Sequence, residues 1–163
     1  MNRLERLREA VDEIVERAAD RRSGFAHLHG VAAAAALLAL RRGEDAELAA
    51  AAGLLHDVAT YETGSADDHA ARSSQRARQI LGLLRGFDPA EIDAVCAAIA
   101  SHSDKANVQD ALSEVLKDAD VLEHALSNPL ASLLEGHAAR WEALRRELAL
   151  SVLPASAADR PGE

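Results

Sequence analysis

The stretch AGLLHDVATYETG (residues 52–64) places a histidine and an aspartate, His56 and Asp57, directly after a run of small and apolar residues. Leu54, Leu55 and Val58 call for burial on a helix, whereas an ionised carboxylate without a partner is costly to bury. A bound metal ion would satisfy both demands. Neutral imidazole and carboxylate together suit Mn, Fe, Zn or Co better than an all-oxygen Mg or Ca site would. Adjacent helical residues point about 100° apart. One ion therefore meets both side chains only where the helix is locally distorted or the ion lies over its flank.

Outward from this stretch the pattern is helical. Leu4, Leu7, Val11, Ile14, Val15 and Ala18 keep to one helix face, and no segment alternates as a strand would. About seven helices are predicted. The second runs over 25–42 and stops at Gly43 behind Arg41 and Arg42, whose charge suits a helix C-terminus. The third covers 45–60 and carries the dyad, and the fourth runs from Asp67 or Asp68 to Leu84. Asp88, Pro89 and Glu91 open a fifth with capping-box spacing. A sixth spans 108–126, and Asn128 and Pro129 begin a seventh over 130–150. The expected architecture is an all-α, compact single-domain bundle over 1–153, with 154–163 as a flexible C-terminal tail.

A chain of 163 residues, 48% of them hydrophobic, can fill one sizeable core. Its 18 Lys and Arg against 27 Asp and Glu, net charge −9, form no basic cluster, and aromatic residues make up only 2%. A nucleic-acid polymer is therefore not an expected partner. Cys96 is the single cysteine, so no internal disulfide forms and a reducing compartment is expected. It reads as a small buried hydrophobe. The N-terminus is charged throughout, and the longest apolar run, GVAAAAALLAL, is too short to cross a bilayer. A cytoplasmic protein without a membrane partner follows. The amphipathic first helix, and the last with Trp141, are expected to pack on the core; a homodimer through these outer helices is the further option.

The seven histidines, His27, His29, His56, His69, His102, His124 and His137, are the most informative residues. A second acidic cluster, LKDADVLEH (116–124), adds Asp118 and Asp120. Two apart on a helix, they face different ways, so only one of them points toward the dyad.

Five motifs then stand in order: HLHGV (27–31), AGLLHDVATY (52–61), HAARSS (69–74), AIASHS (98–103) and LKDADVLEH. Their order and spacing resemble the HD superfamily of metal-dependent phosphohydrolases, an all-helical family, over about residues 24–128. The resemblance implies that His27, His56, Asp57 and Asp120 hold a divalent metal (Mn, Fe, Co, Zn or Mg). It also implies that His69 and His102 line the same cavity, either for a second ion or for phosphate. Val31 falls four residues after His27, as in the family's H-x-x-x-V pattern, which favours His27 over His29. The family's D-A-D-x-L motif favours Asp120 over Asp118. His124 shares a helix face with Asp120, and His137 is expected to be exposed.

The implied chemistry is metal-assisted hydrolysis of a nucleotide or another small phosphate ester. Asp57 would act as ligand and as orienter of water, and His69 and His102 would hydrogen-bond the phosphate or protonate the leaving oxygen. Arg72 and Lys105, each three residues after one of those histidines, are candidate phosphate clamps. Thr60 and Tyr61 follow the dyad in place of the glutamate of HDxxE, there is no HDxGK lysine or GYP element, and no DRLHN-like run is present. Nucleotidase, cyclic-dinucleotide and alarmone-hydrolase subtypes are thereby disfavoured, and the chain resembles small stand-alone HD proteins. A non-catalytic regulatory module that binds metal or nucleotide is the alternative, with a di-iron HD-type oxygenase behind it. The intact ligand set favours the enzyme.

Overall fold

Eight α-helices and no strand make up the described residues, 1–129 and 136–150, of the computed structural model. In chain order they are α1 (Arg3–Val15), α2 (Arg21–Arg42), α3 (Ala46–Leu55), α4 (Val58–Thr63), α5 (His69–Leu84), α6 (Pro89–Ser101), α7 (Ala111–Ser127) and α8 (Ala138–Glu147). The all-α expectation holds. The count exceeds seven because the helix expected over 45–60 is broken at the dyad into α3 and α4.

The caps explain most boundaries. Asp88 accepts from the backbone N–H of Glu91 while Glu91 answers at the Asp88 N–H, with Pro89 in the first turn, as the spacing predicts. Gly43 ends α2 in the left-handed region at φ +77°. That helix begins a turn earlier than its apolar pattern implies, because the Asp20 side chain accepts from the N–H of Ser23. The sixth predicted helix starts at Ala111 rather than 108, where Asp110 caps Ser113. Asn128 closes α7. The first turns of the seventh predicted helix (130–135) and the 154–163 tail lie outside the described residues.

α2 is the central element and packs on α3 and α7; α6 closes the other side of α3 and α7, and α5 leans on α6. Its length and hydropathy would by themselves suit a membrane span, yet Leu28, Val31, Ala35, Leu38 and Ala39 are buried in the core. The alanine-rich faces of α2 and α3 let the two helices approach closely. A Cβ at Gly53 would stand 2.6 Å from Ala32 Cα, so this crossing admits only glycine. α1 buries Leu7, Val11, Ile14 and Val15. α8 is held by buried Leu144, by partly buried Trp141, and by Arg140 on Glu114 and Asp118.

Candidate metal centre

The break between α3 and α4 positions the dyad. His56 still has helical angles, but Asp57 leaves them (φ −121°, ψ 15°) before α4 begins at Val58. The completely buried His56 ring turns Nδ1 onto the carbonyl of Gly53 at 2.7 Å, giving an orphan helix-end acceptor a donor. This distortion brings both side chains to one place. His56 Nε2 lies 3.6 Å from Asp57 Oδ2.

Four imidazoles from four elements surround Asp57, each with Nε2 turned inward. His27 of α2, like His56, approaches Oδ2, at 3.8 Å. His102, at the end of α6, and His69, at the start of α5, approach Oδ1 at 3.5 Å and 3.9 Å. The other ring nitrogen is anchored in each case. Nδ1 faces Glu123 Oε2 (2.7 Å) in His27, the Ile99 carbonyl (2.7 Å) in His102, and the Ala66 carbonyl (3.2 Å) in His69. Anchoring of this kind fixes the tautomer and aims Nε2 in metal-ligating histidines. Asp120 Oδ1 completes the first group, 3.8 Å from His27 Nε2 and 3.9 Å from His56 Nε2. Two ligand groups therefore share Asp57: His27 and His56 on one side, His69 and His102 on the other.

Glu123 has no role in the sequence reading. It lies one helical turn beyond Asp120 on α7, a spacing that puts it on the same face. It grips His27, accepts from the Ser127 hydroxyl, and has its own stem packed where α2 has no side chain: a Cβ at Gly30 would meet Glu123 Cγ at 2.8 Å. Burial disfavours a charge on His27, but the carboxylates of Asp57, Glu123 and Asp120 outweigh it and push its pKa up to about 9. Burial lowers the pKa of His56 and, together with the repulsion of His56, takes His102 down to about 4. Burial opposes ionisation of Asp57 and Asp120 as well; the imidazoles, and Lys105 in the case of Asp120, nonetheless hold both below the usual carboxylate range. His27 Nε2 lies 3.0 Å from His56 Nε2. Since His56 donates through Nδ1, the proton between them belongs to His27.

Other candidates have different partners. Lys105, a candidate phosphate clamp, is paired within the centre: its ammonium sits 2.5 Å from Asp120 Oδ2. Arg72 donates to the carbonyls of Ser65 and Asp67 and to the Thr63 hydroxyl, so it secures the α4–α5 loop. His124 reaches Asp120 Oδ1 at 3.4 Å from the open side. Asp118 pairs with Arg42 and Arg140, and His29 with Asp12. His137 is buried rather than exposed, its ring beside that of His124, because the turn before α8 folds over this end of the centre. Cys96 is a buried free thiol, as its apolar neighbours predict.

A divalent ion fits this donor set. Metal–nitrogen and metal–oxygen bonds of about 2.0–2.2 Å put two ligands of one ion roughly 3–4 Å apart, the range seen around Asp57. Asp57 Oδ1 is buried without a hydrogen-bond partner, a costly state that coordination would relieve. Over the centre opens a cleft of about 310 Å³ lined by Ser23, His27, Asp57, Tyr61 and His124 among others. The family model described as HD domain matches residues 24–125, more than half of the chain. No curated protein and no solved structure matches.

Proposed function

Because the chain belongs to the HD domain family, we propose that it is a metal-dependent phosphohydrolase acting on a nucleotide or another small phosphate ester. The observation that carries this reading is Asp57, its two oxygens each facing two imidazole Nε2 atoms and one oxygen left without a hydrogen bond. His27, His56, Asp57 and Asp120 would hold one divalent ion, and Asp57, His69 and His102 a second. Such an ion supplies charge neutralisation at a phosphoryl oxygen and water acidic enough to attack near neutral pH.

The chain's own residues supply orientation. Gly53, Ile99 and Glu123 keep Nε2 of His56, His102 and His27 aimed inward. Lys105 holds one oxygen of Asp120 and leaves the other toward the histidines. Where a single ion is bound, His69, about one-third exposed at the rim, instead turns Nε2 toward the place a phosphate would take. Ser23 and Tyr61 offer hydroxyls to the same cleft.

The test is phosphate release from a panel of nucleotides and phosphomonoesters with Mn, Co, Mg or Fe, wild type against Asp57→Ala. Metal-dependent turnover that is lost in the variant is expected. Activity that survives Asp57→Ala would sink the reading. Metal-replete protein that hydrolyses nothing yet gains melting temperature with nucleotide would indicate a binding module, and dioxygen consumption with reduced iron an oxygenase.

A further inference from the structure

The cleft over the metal centre does not end at the metal. It shares Ala26, Glu123 and Ser127 as a common lip with a groove of about 420 Å³ that runs along the seam between α2 and α7. Beyond that lip the groove is lined by Gly30, Ala33, Ala34, Leu37, Leu122 and Leu126, none of which has a side-chain donor or acceptor. On α2 the lining residues recur at helical spacing from Ala26 to Leu37, positions eleven apart and about 16 Å along the helix. Small residues make the floor, and Leu37 and Leu126 are 53% and 58% exposed. The volume falls in the usual range of ligand pockets, about 300–1,000 Å³.

We propose that this groove receives an apolar chain carried by the leaving group of the phosphate ester, so that the substrate class is an alkyl-type phosphate rather than a nucleotide. Three observations support it. The groove joins the centre where a phosphate would be held, with polar groups only at the shared lip. Among the described residues it offers no aromatic face to stack a base and no amide or guanidinium to read a base edge. Its wall is aliphatic surface left exposed among the described residues at Leu37 and Leu126, which gains most from covering a hydrocarbon. This rests on the phosphohydrolase reading above, deepening it at the same site.

The test has a binding arm and a turnover arm. Calorimetric Kd values are measured with Mn²⁺ present for methyl-, butyl- and octylphosphonate, which carry no ester to cleave, on wild type, Ala33→Trp and Leu37→Glu. Both substituted positions are exposed, so folding is preserved. Wild type should tighten by about two- to fourfold per methylene, and both variants should flatten that dependence. Equal Kd across the series overturns the proposal, as does a dependence that persists in both variants. So does a wild-type dimer that Leu37→Glu dissociates without altering the series. Phosphate release from methyl, butyl and octyl phosphate separates the two readings. Length-dependent binding with no ester hydrolysed removes the hydrolase and leaves the groove's specificity. Turnover of all three at one kcat/KM, with no length-dependent binding, removes this inference alone.

Discussion

Loading the centre with a divalent ion should release one proton, and that proton comes from His27. Its pKa of about 9 leaves the ring charged at neutral pH, with Nδ1 on Glu123 and Nε2 against His56. Nε2 is also the atom a metal would need, so proton and metal compete for one position. His56 and His102 are already neutral at pH 7, and Asp57 and Asp120 are already ionised. Of these five groups, His27 is the one that must lose a proton, and it sets the pH dependence. Apparent affinity should rise about tenfold per pH unit, roughly a hundredfold between pH 6.5 and 8.5, equivalent to ~2.7 kcal/mol. Titration calorimetry with Mn²⁺ in buffers of different ionisation enthalpy reads the proton count directly. Glu123→Gln removes the anion at Nδ1. It should lower the count and, by loosening the aim of Nε2, weaken metal binding by about 10–100-fold. No proton release at pH 7, together with an affinity that is flat from pH 6.5 to 8.5, would refute the reasoning.

The metal-free protein should be most stable near pH 6.5, as read by urea unfolding in chelator. The His102 contribution, with its pKa lowered to about 4, is fully present above the unfolded value near 6.5 and is lost as pH falls toward 4. The His27 contribution, raised to about 9, is fully present below 6.5 and is lost as pH rises toward 9. A monotonic profile would contradict this pairing. Gly53→Ala drives a Cβ to within 2.6 Å of Ala32 Cα and should cost about 1–3 kcal/mol, seen as a lower melting temperature even though alanine favours helix. Arg72→Ala should raise amide hydrogen exchange over residues 63–67 while leaving KM for a phosphate ester within about twofold, since its hydrogen bonds go to that loop. A tenfold rise in KM would restore it as a phosphate clamp.

What the sequence could reveal followed from how local each signal is. The caps at Asp88 and Gly43 and the periodicity of α1 depend on a few neighbouring residues, and each appears where its spacing places it. His56 and Asp57 point to a metal because an acid set among apolar residues needs a partner, whereas His27 and Asp120 join them only through the resemblance of the motif order to the HD superfamily. A distortion at the dyad is one of two alternatives the sequence leaves open, the other being an ion over the helix flank. Gly53 in the last turn of α3 does not decide it, since that glycine closes against Ala32. The break is stabilised by the His56 side chain on the Gly53 carbonyl. The partners of Lys105 and Arg72 and the burial of His137 are hidden for a related reason: each takes partners or cover from elements distant in sequence or from a loop whose path the sequence leaves open. Glu123 carried a usable signal, an acid three residues after a ligand, but only the absence of a side chain at Gly30 makes room for it.

The most direct measurement is anomalous diffraction from crystals equilibrated with Mn²⁺. An anomalous peak is expected within coordination distance of His27 Nε2, His56 Nε2, Asp57 Oδ2 and Asp120 Oδ1. At higher occupancy a second peak should stand across Asp57, toward His69 and His102. A peak elsewhere on the molecule, or none at a concentration that shifts the melting temperature, would contradict the assignment of Asp57 as the shared ligand of a metal centre.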